Sequence, residues 1–358
     1  MPRTLVLDGP RHLQLSEHPS RPLGPGEVRL RARLSGISHG TELGLYRGTS
    51  AFADKVFDRG LRAFVAPPAG SASAYPVTLG YEMVSEVVEV GSAVTEVQVG
   101  DLVHTGTPHQ EETVLDVAES LRATYPLVVL PSDGDLERAL FVSLAAVALQ
   151  AVHDAEIKLG DTVSVHGLGA IGLLAVQMCA LDGIQTVVGV DPDPHRRDFA
   201  KRLGATHVVD PANAHPLGVR IRDLNDGHGV DVALEVSGSD LGLQGALAAA
   251  GLGATVVAAG FYQGGAANLR LGEEFHHNRL TLIASAGGWG VPNRHAPMWD
   301  RRRIMDTATR LIYTGQVSVA GMLDRRFRFD EAPAAYAWLD LNPRGAVKVA
   351  LVYRDGPA

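Results

Sequence analysis

The stretch VSVHGLGAIGLLAVQ, residues 163–177, places Gly167, Gly169 and Gly172 in a G-x-G-x-x-G spacing between a strand-like run and a helix-like run. In that context each glycine has a separate task. Gly167 permits the tight turn, Gly169 lets backbone approach a pyrophosphate, and Gly172 lets helix and strand pack closely. The amides around Gly169, Ala170, Ile171 and Gly172 then open a helix whose N-terminus favours phosphate. About 20 residues on, Asp191 ends the run TVVGVD. A carboxylate there accepts hydrogen bonds from ribose hydroxyls and repels a 2′-phosphate, so NAD is expected ahead of NADP. Arg196 and Arg197 follow closely and are the candidate contacts that would temper this preference.

Outward from this stretch, strand and helix patterns alternate: TVVGVD, HRRDFAKRLGA, THVVD, VDVALEV, LGLQGALAAAGLG, ATVVAAG, LTLIAS. Such alternation predicts an α/β doubly wound parallel sheet of the Rossmann type over 143–291. It is preceded by LERALFVSLAAVALQAVHDA, which has helical periodicity. The first 140 or so residues instead show short apolar or alternating runs (TLVL, EVRLRARL, MVSEVVEV, DLVHTG, LVVLP) separated by Gly, Pro and Asp turns. They predict a β-rich domain interrupted by an irregular insert at 45–78, whose aromatic and basic content suits a cleft lining. Beyond 290 a helix (RRRIMDTATRLIYTG) and AVKVALVY finish the chain. This tail is expected to return to the first domain, giving 1–142 with 292–358.

The 358 residues fit two cores better than one. A net charge of -8 argues against nucleic acid or an anionic membrane surface as partner. No apolar run reaches the length of a membrane span, and MPRTLVLDGPRHLQLSEHPS lacks a signal-peptide core, so the cytoplasm is the expected compartment. The single Cys179 excludes an intramolecular disulfide and any site needing two thiolates from one chain. Its apolar helical setting predicts a buried, inert thiol.

The motifs together resemble the medium-chain dehydrogenase/reductase superfamily almost end to end: GEVRLRARLSGIS, LGYEMVSEVVEVGSAV, VGDLVHTG, KLGDTVSVHGLGAIGLLAVQ, GVDPD, GVDVALEVSG, VVAAG and AVKVALVY. HGTE, the insert, EFHHNRLTLIAS and MWDRRRI are similar to bacteriochlorophyllide dehydrogenase-like members, and more so to glycoside 3-dehydrogenases. The resemblance implies a GroES-like catalytic domain beside the Rossmann domain, a substrate cleft between them, and homodimers or homotetramers. It also places Lys348, Ser237 and Gly260 near the cofactor. Where relatives carry zinc ligands this chain departs. The resemblance sets His39 of LSGISHGTE (34–42) at the usual cysteine, Tyr81 of Gly80-Tyr81-Glu82 at the usual histidine, and Val142 and Ser143 at the third ligand. A catalytic zinc takes about three protein ligands, so no zinc is expected.

Without a metal, oxidation of a secondary alcohol needs a positioned base for the hydroxyl proton. Histidine suits that role at neutral pH, and His39 is the candidate; the competing reading is a histidine satisfied by backbone beside a turn. Thr41 falls at the family's proton-relay hydroxyl, or is a turn hydroxyl. Tyr81 is a candidate substrate contact, and Glu82 either orients the site or forms a structural ion pair. His276 and His277 read as loop packing, with a sugar-hydroxyl contact as the alternative, His104 and His109 as a solvated loop, and His153 as a packed helical residue. The expected activity is an NAD-dependent, zinc-independent dehydrogenase of a secondary hydroxyl on a sugar, glycoside or cyclitol. A zinc-free reductase of enones or quinones, and a cofactor-binding protein without turnover, are the alternatives.

Overall fold

The computed structural model describes residues 1–52, 55–67, 75–131, 134–213, 215–286 and 295–354. Its contacts divide the chain into two units, Met1–Leu140 with Leu323–Ala358, and Phe141–Met322.

In the second unit, Thr162–His166 is a central strand of a six-stranded sheet. Across the sheet the order is His207–Val209, Thr186–Val190, Thr162–His166, Val230–Glu235, Ala250–Ala258 and Thr281–Ala284, with neighbours parallel. Numbered along the chain this is 3-2-1-4-5-6, the dinucleotide-binding order. The central strands are valine-rich because a parallel sheet is covered on both faces. Val163, Val165, Val187, Val188, Ala233 and Leu234 are all fully buried. Helices Ala170–Leu181 and Asp240–Ala249 pack on Thr162–His166 and bring Leu173, Leu174 and Ala246 into the core.

The first unit is β-rich. The long strand Glu27–Ile37 pairs with Met83–Val90 and, along its first half, with Glu112–Asp116. Its last residues pair with the C-terminal strand Lys348–Val352, in the register Val349↔Ile37 to Val352↔Leu34. Leu5, Leu7, Ile37, Met83, Tyr336, Val349 and Leu351 form a core cluster. Within the insert, Val56–Asp58 and Ala63–Val65 make a small hairpin, while residues 53, 54 and 68–74 lie outside the described residues.

The boundaries depart from expectation in two places. The helical run at 136–155 is two helices, Leu136–Ala139 and Val142–Asp154, and the chain passes from one unit to the other between them. The return to the first unit falls at residue 323 and not 292. The reason is the amphipathic helix Arg301–Tyr313, which buries Ile304, Met305, Ala308 and Ile312 and packs on Val142–Asp154. An apolar stripe at this spacing has to be covered, and the cover belongs to the second unit. Ile304→Ala is therefore expected to destabilise the nucleotide-binding unit by about 2–5 kcal/mol, read as a lower urea midpoint.

Candidate active site

At the end of Thr162–His166, Gly167 turns the chain at φ +93, and a side chain there would strike Ser237 Cβ at 2.7 Å. A Cβ on Gly172 would overlap the Gly167 carbonyl oxygen. Both positions therefore require glycine. A Cβ on Gly169 would meet nothing within 4 Å, so the loop faces open space at this point. Gly169 caps the helix Ala170–Leu181 without a side-chain bond, and the helix's own hydrogen bonds begin with the Leu173 amide accepted by Gly169 O. The amides of Ala170, Ile171 and Gly172 are the donors that such a helix start presents to an anion.

Asp191 is tied to the same loop. Its Oδ2 accepts from the Leu168 amide at 2.8 Å and its Oδ1 from the Asp193 amide at 2.8 Å. Each carboxylate oxygen has two lone pairs, so acceptor capacity is left for ribose hydroxyls. Arg197 donates to Asp191 O at 2.7 Å and pairs with Asp210 at 3.4 Å, whereas Arg196 lies half-buried on the helix Pro194–Arg202. Ser237 and Gly260 lie in the loops after Val230–Glu235 and Ala250–Ala258. The residues present fit a dinucleotide.

In the first unit, the strand Glu27–Ile37 delivers Ser38 to the start of the helix His39–Arg47. Ser38 Oγ hydrogen-bonds Tyr81 OH, and Thr41 Oγ1 lies 3.4 Å from the same hydroxyl. Tyr81 stacks on Tyr125, with ring centroids 4.9 Å apart and planes at 19°. Burial pushes the Tyr81 hydroxyl well above its ordinary value, which keeps it a neutral donor. The structure thus brings Thr41 and Tyr81 together, and Ser38, one residue before His39, hydrogen-bonds the same tyrosine. His39 is the half-buried first residue of its helix. Two ligands of one zinc each stand about 2.0–2.3 Å from it, so their donor atoms must be near neighbours. Ser38 meets that condition with Tyr81, and neither hydroxyl is a common zinc donor. Among the described residues no group of three or more His, Cys, Asp or Glu is arranged to hold a metal.

Next to Tyr81 in sequence, Glu82 belongs to a buried charge pair whose partner sequence reasoning did not identify. Glu82 and Lys348 are fully buried and form an ion pair; Lys348 Nζ also donates to Ile37 O at 3.0 Å. A Cβ on Gly36 would stand 2.7 Å from Lys348 Cε, so glycine there makes room for the pair. The structure thus contains the ion pair that was one of the two readings of Glu82, and it occupies Lys348, which was expected near the cofactor. Burial pushes the Glu82 carboxyl up to about 6 against the opposing pull of Lys348. Glu82 Oε1 has no hydrogen-bond partner among the described residues.

Glu42 takes a different solution to the same burial. Its Oε1 accepts from the Ser38 amide at 2.7 Å, and its Oε2 from Tyr336 OH and from His109 Nε2 at 3.1 Å. His109 Nδ1 reaches Ser35 Oγ at 2.7 Å, which in turn meets Tyr353 OH at 3.0 Å. Burial raises the Glu42 carboxyl, but His109 and the Tyr336 and Ser38 donors outweigh it and hold the group below its usual range.

His104 and His109 are accordingly not on a solvated loop: both are fully buried. His104 sits within the strand Leu102–Thr105, where burial pushes its imidazole down to about 4. His153 packs edge-on against Trp299 at 4.4 Å, and His276 and His277 are exposed at the end of a short helix. Val142 and Ser143 are buried in the helix Val142–Asp154. Cys179 is fully buried, and its thiol is pushed up to about 12. Among the described residues no helix is long and apolar enough to cross a membrane.

A 3-2-1-4-5-6 parallel sheet with this glycine loop and a ribose-binding acid, in a chain whose other unit is β-rich, defines a two-unit nicotinamide-dependent oxidoreductase. The chain belongs to the zinc-binding dehydrogenase family of medium-chain dehydrogenase/reductases. The zinc-binding dehydrogenase family matches residues 170–301, and the alcohol dehydrogenase GroES-like domain matches 24–120. The chain is 32% identical over 355 residues to a D-guloside 3-dehydrogenase of Escherichia coli, covering 98% of this chain and all of that one. It is 30% identical over 285 residues to an (R,R)-butanediol dehydrogenase of Bacillus subtilis, covering 72% of this chain and 75% of the relative. The crystal structure of 2R,3R-butanediol dehydrogenase from Bacillus subtilis superposes with a TM-score of 0.77 at 23% identity, over 98% of this chain and 99% of that one, and shows the shared fold. The protein is an NAD-dependent dehydrogenase.

Two predictions concern the buried ion pair. Lys348→Met leaves the Glu82 charge uncompensated and is expected to cost about 3–5 kcal/mol. The double variant with Glu82→Gln should lose less than the two single losses summed, measured by denaturant unfolding. The Glu82 carboxyl titrates higher folded than unfolded, so the folded state holds the extra proton. Its stability contribution is then full below about pH 4.5 and is lost as pH rises through about 6. Glu82→Gln should remove this component from the pH dependence of the urea midpoint.

Proposed function

We propose that the protein oxidises a secondary hydroxyl of a sugar, glycoside or cyclic polyol to the ketone, without a catalytic metal and with NAD preferred to NADP. The observation that carries this reading is the hydrogen bond between Ser38 Oγ and Tyr81 OH. It joins two hydroxyls, one on Tyr81, where the family resemblance puts a zinc ligand, and one on Ser38, the residue before another such position. Three convergent hydroxyls, Ser38, Thr41 and Tyr81, suit the oxygen of a polyhydroxylated substrate, since each can donate or accept. The similarity to a D-guloside 3-dehydrogenase supports a carbohydrate substrate.

When bound, NAD would be held by the Gly167–Gly172 loop and Asp191 and would supply the hydride acceptor for the carbinol carbon. The chain's own task is the hydroxyl proton, which leaves as the carbon–oxygen double bond forms. Tyr81, kept neutral by burial, donates a hydrogen bond that holds the substrate oxygen in place. Thr41 Oγ1 beside it passes the proton on, and His39, two residues away at the head of the same helix, is the acceptor. Glu82 and Lys348 set a buried charge beneath the tyrosine. Asp191 disfavours a 2′-phosphate and thereby favours NAD.

The test is an NAD-reduction screen over sugars, glycosides and cyclitols, with metal analysis of the purified protein. Turnover of a cyclic secondary alcohol by protein free of zinc is expected. Stoichiometric zinc, with activity lost to a chelator, would overturn the metal-free reading, and activity only on enones or quinones would overturn the substrate class. His39→Ala should lower kcat about 10²-fold or more; unchanged turnover would remove His39 as the base. Tyr81→Phe is expected to raise KM for the alcohol and leave NAD affinity unaltered.

A further inference from the structure

The nucleotide-binding unit contains a buried acid, Glu235, that the glycine loop and Asp191 do not explain. It is the last residue of the strand Val230–Glu235, in register with His166 on one side and Ala258 on the other, and it is fully buried. Its Oε1 accepts from the Ser237 amide at 2.8 Å and from the Ser237 hydroxyl. Its Oε2 accepts from Tyr262 OH and from the Gly238 amide at 3.3 Å. Its main-chain oxygen accepts from the Ala259 amide at 2.8 Å and the Gly260 amide at 3.0 Å. One residue therefore binds two successive loops, 236–239 and 259–262, each leaving the C-terminal end of a parallel strand.

The surroundings are built for this carboxylate. A Cβ on Gly242 would stand 2.6 Å from Oε1, and one on Gly260 would stand 2.9 Å from Oε2. Ser237, held from behind by Glu235, is the residue that a side chain on Gly167 would strike. The acid thus supports a loop that abuts the glycine turn. The four side-chain partners are all donors, which an ionised carboxylate accepts at once and an amide cannot, because half of the amide is itself a donor. Burial raises the Glu235 carboxyl, and these donors work against the rise.

In an open sheet of this order the ligand lies across the C-terminal ends of the strands. Asp191 marks the adenosine side, Gly167–Gly172 the pyrophosphate, and the loops after Val230–Glu235 and Ala250–Ala258 lie on the far side. We propose that Glu235 is a positioning residue for the nicotinamide half of the cofactor, setting the height of the Ser237–Gly238 and Gly260–Tyr262 loops against the glycine turn. This rests on the NAD reading of the same unit.

The experiment compares NAD with AMP, which lacks the nicotinamide half, by calorimetric titration of wild type, Glu235→Gln and Tyr262→Phe. The wild type should bind both nucleotides; binding of neither would defeat the NAD reading itself. Glu235→Gln is expected to weaken NAD about tenfold while AMP affinity stays within about twofold, the loss of about two charge-assisted hydrogen bonds being felt on one side only. Tyr262→Phe, which removes one bond and keeps the ring, should show a smaller loss of the same selectivity and keeps the test open if Glu235→Gln fails to fold. Equal losses for NAD and AMP, or none for either, would overturn the proposal.

Discussion

A carboxylate removed from water must be met by a cation or by several hydrogen-bond donors, and this requirement organises both units. Glu82 is met by Lys348, Glu42 by His109, Tyr336 and the Ser38 amide, and Glu235 by Ser237, Gly238 and Tyr262. Glu82 immediately precedes the strand Met83–Val90, Glu42 lies in the first turn of the helix His39–Arg47, and Glu235 ends the strand Val230–Glu235. The Glu82–Lys348 pair joins the start of the strand Met83–Val90 to the C-terminal strand and, through Ile37 O, to the end of Glu27–Ile37. The C-terminal segment is thereby locked to the strand that presents Ser38.

The same interactions account for the polar character of the candidate site. Glu42 holds the Ser38 amide from below, so Ser38 Oγ is turned toward Tyr81 and leaves the head of its own helix uncapped. Tyr81 is fixed by stacking on Tyr125 and by two hydroxyl neighbours. The result is a preorganised set of alcohols above two buried acids, an arrangement suited to holding an oxygen and passing its proton.

Legibility in the sequence followed the range of the interaction. The glycine turn, the helix start and Asp191 lie within about 25 residues of one another, and their chemistry is local, so residues 163–191 could be read directly. The valine-rich alternation likewise reports a sheet covered on both faces. Glu42 and His109 are 67 residues apart, and Glu42 and Tyr336 are 294 apart. No period or spacing links them, and a histidine near two glutamates reads as solvated until its loop is seen to be buried.

The sequence by itself determined the nucleotide-binding sheet, the shortage of thiols for a metal, and the polar residues around 38–42 and 81–82, because these depend on residue type and short spacing. Tertiary structure decided that Ser38 meets Tyr81, that Lys348 is committed to Glu82, and that Arg301–Tyr313 belongs with the second unit. Those outcomes turn on which side chain the end of a strand directs inward and on which surface covers an apolar stripe. Both are set by packing between segments far apart in the chain, and burial converts each small choice of direction into a large difference in solvation energy.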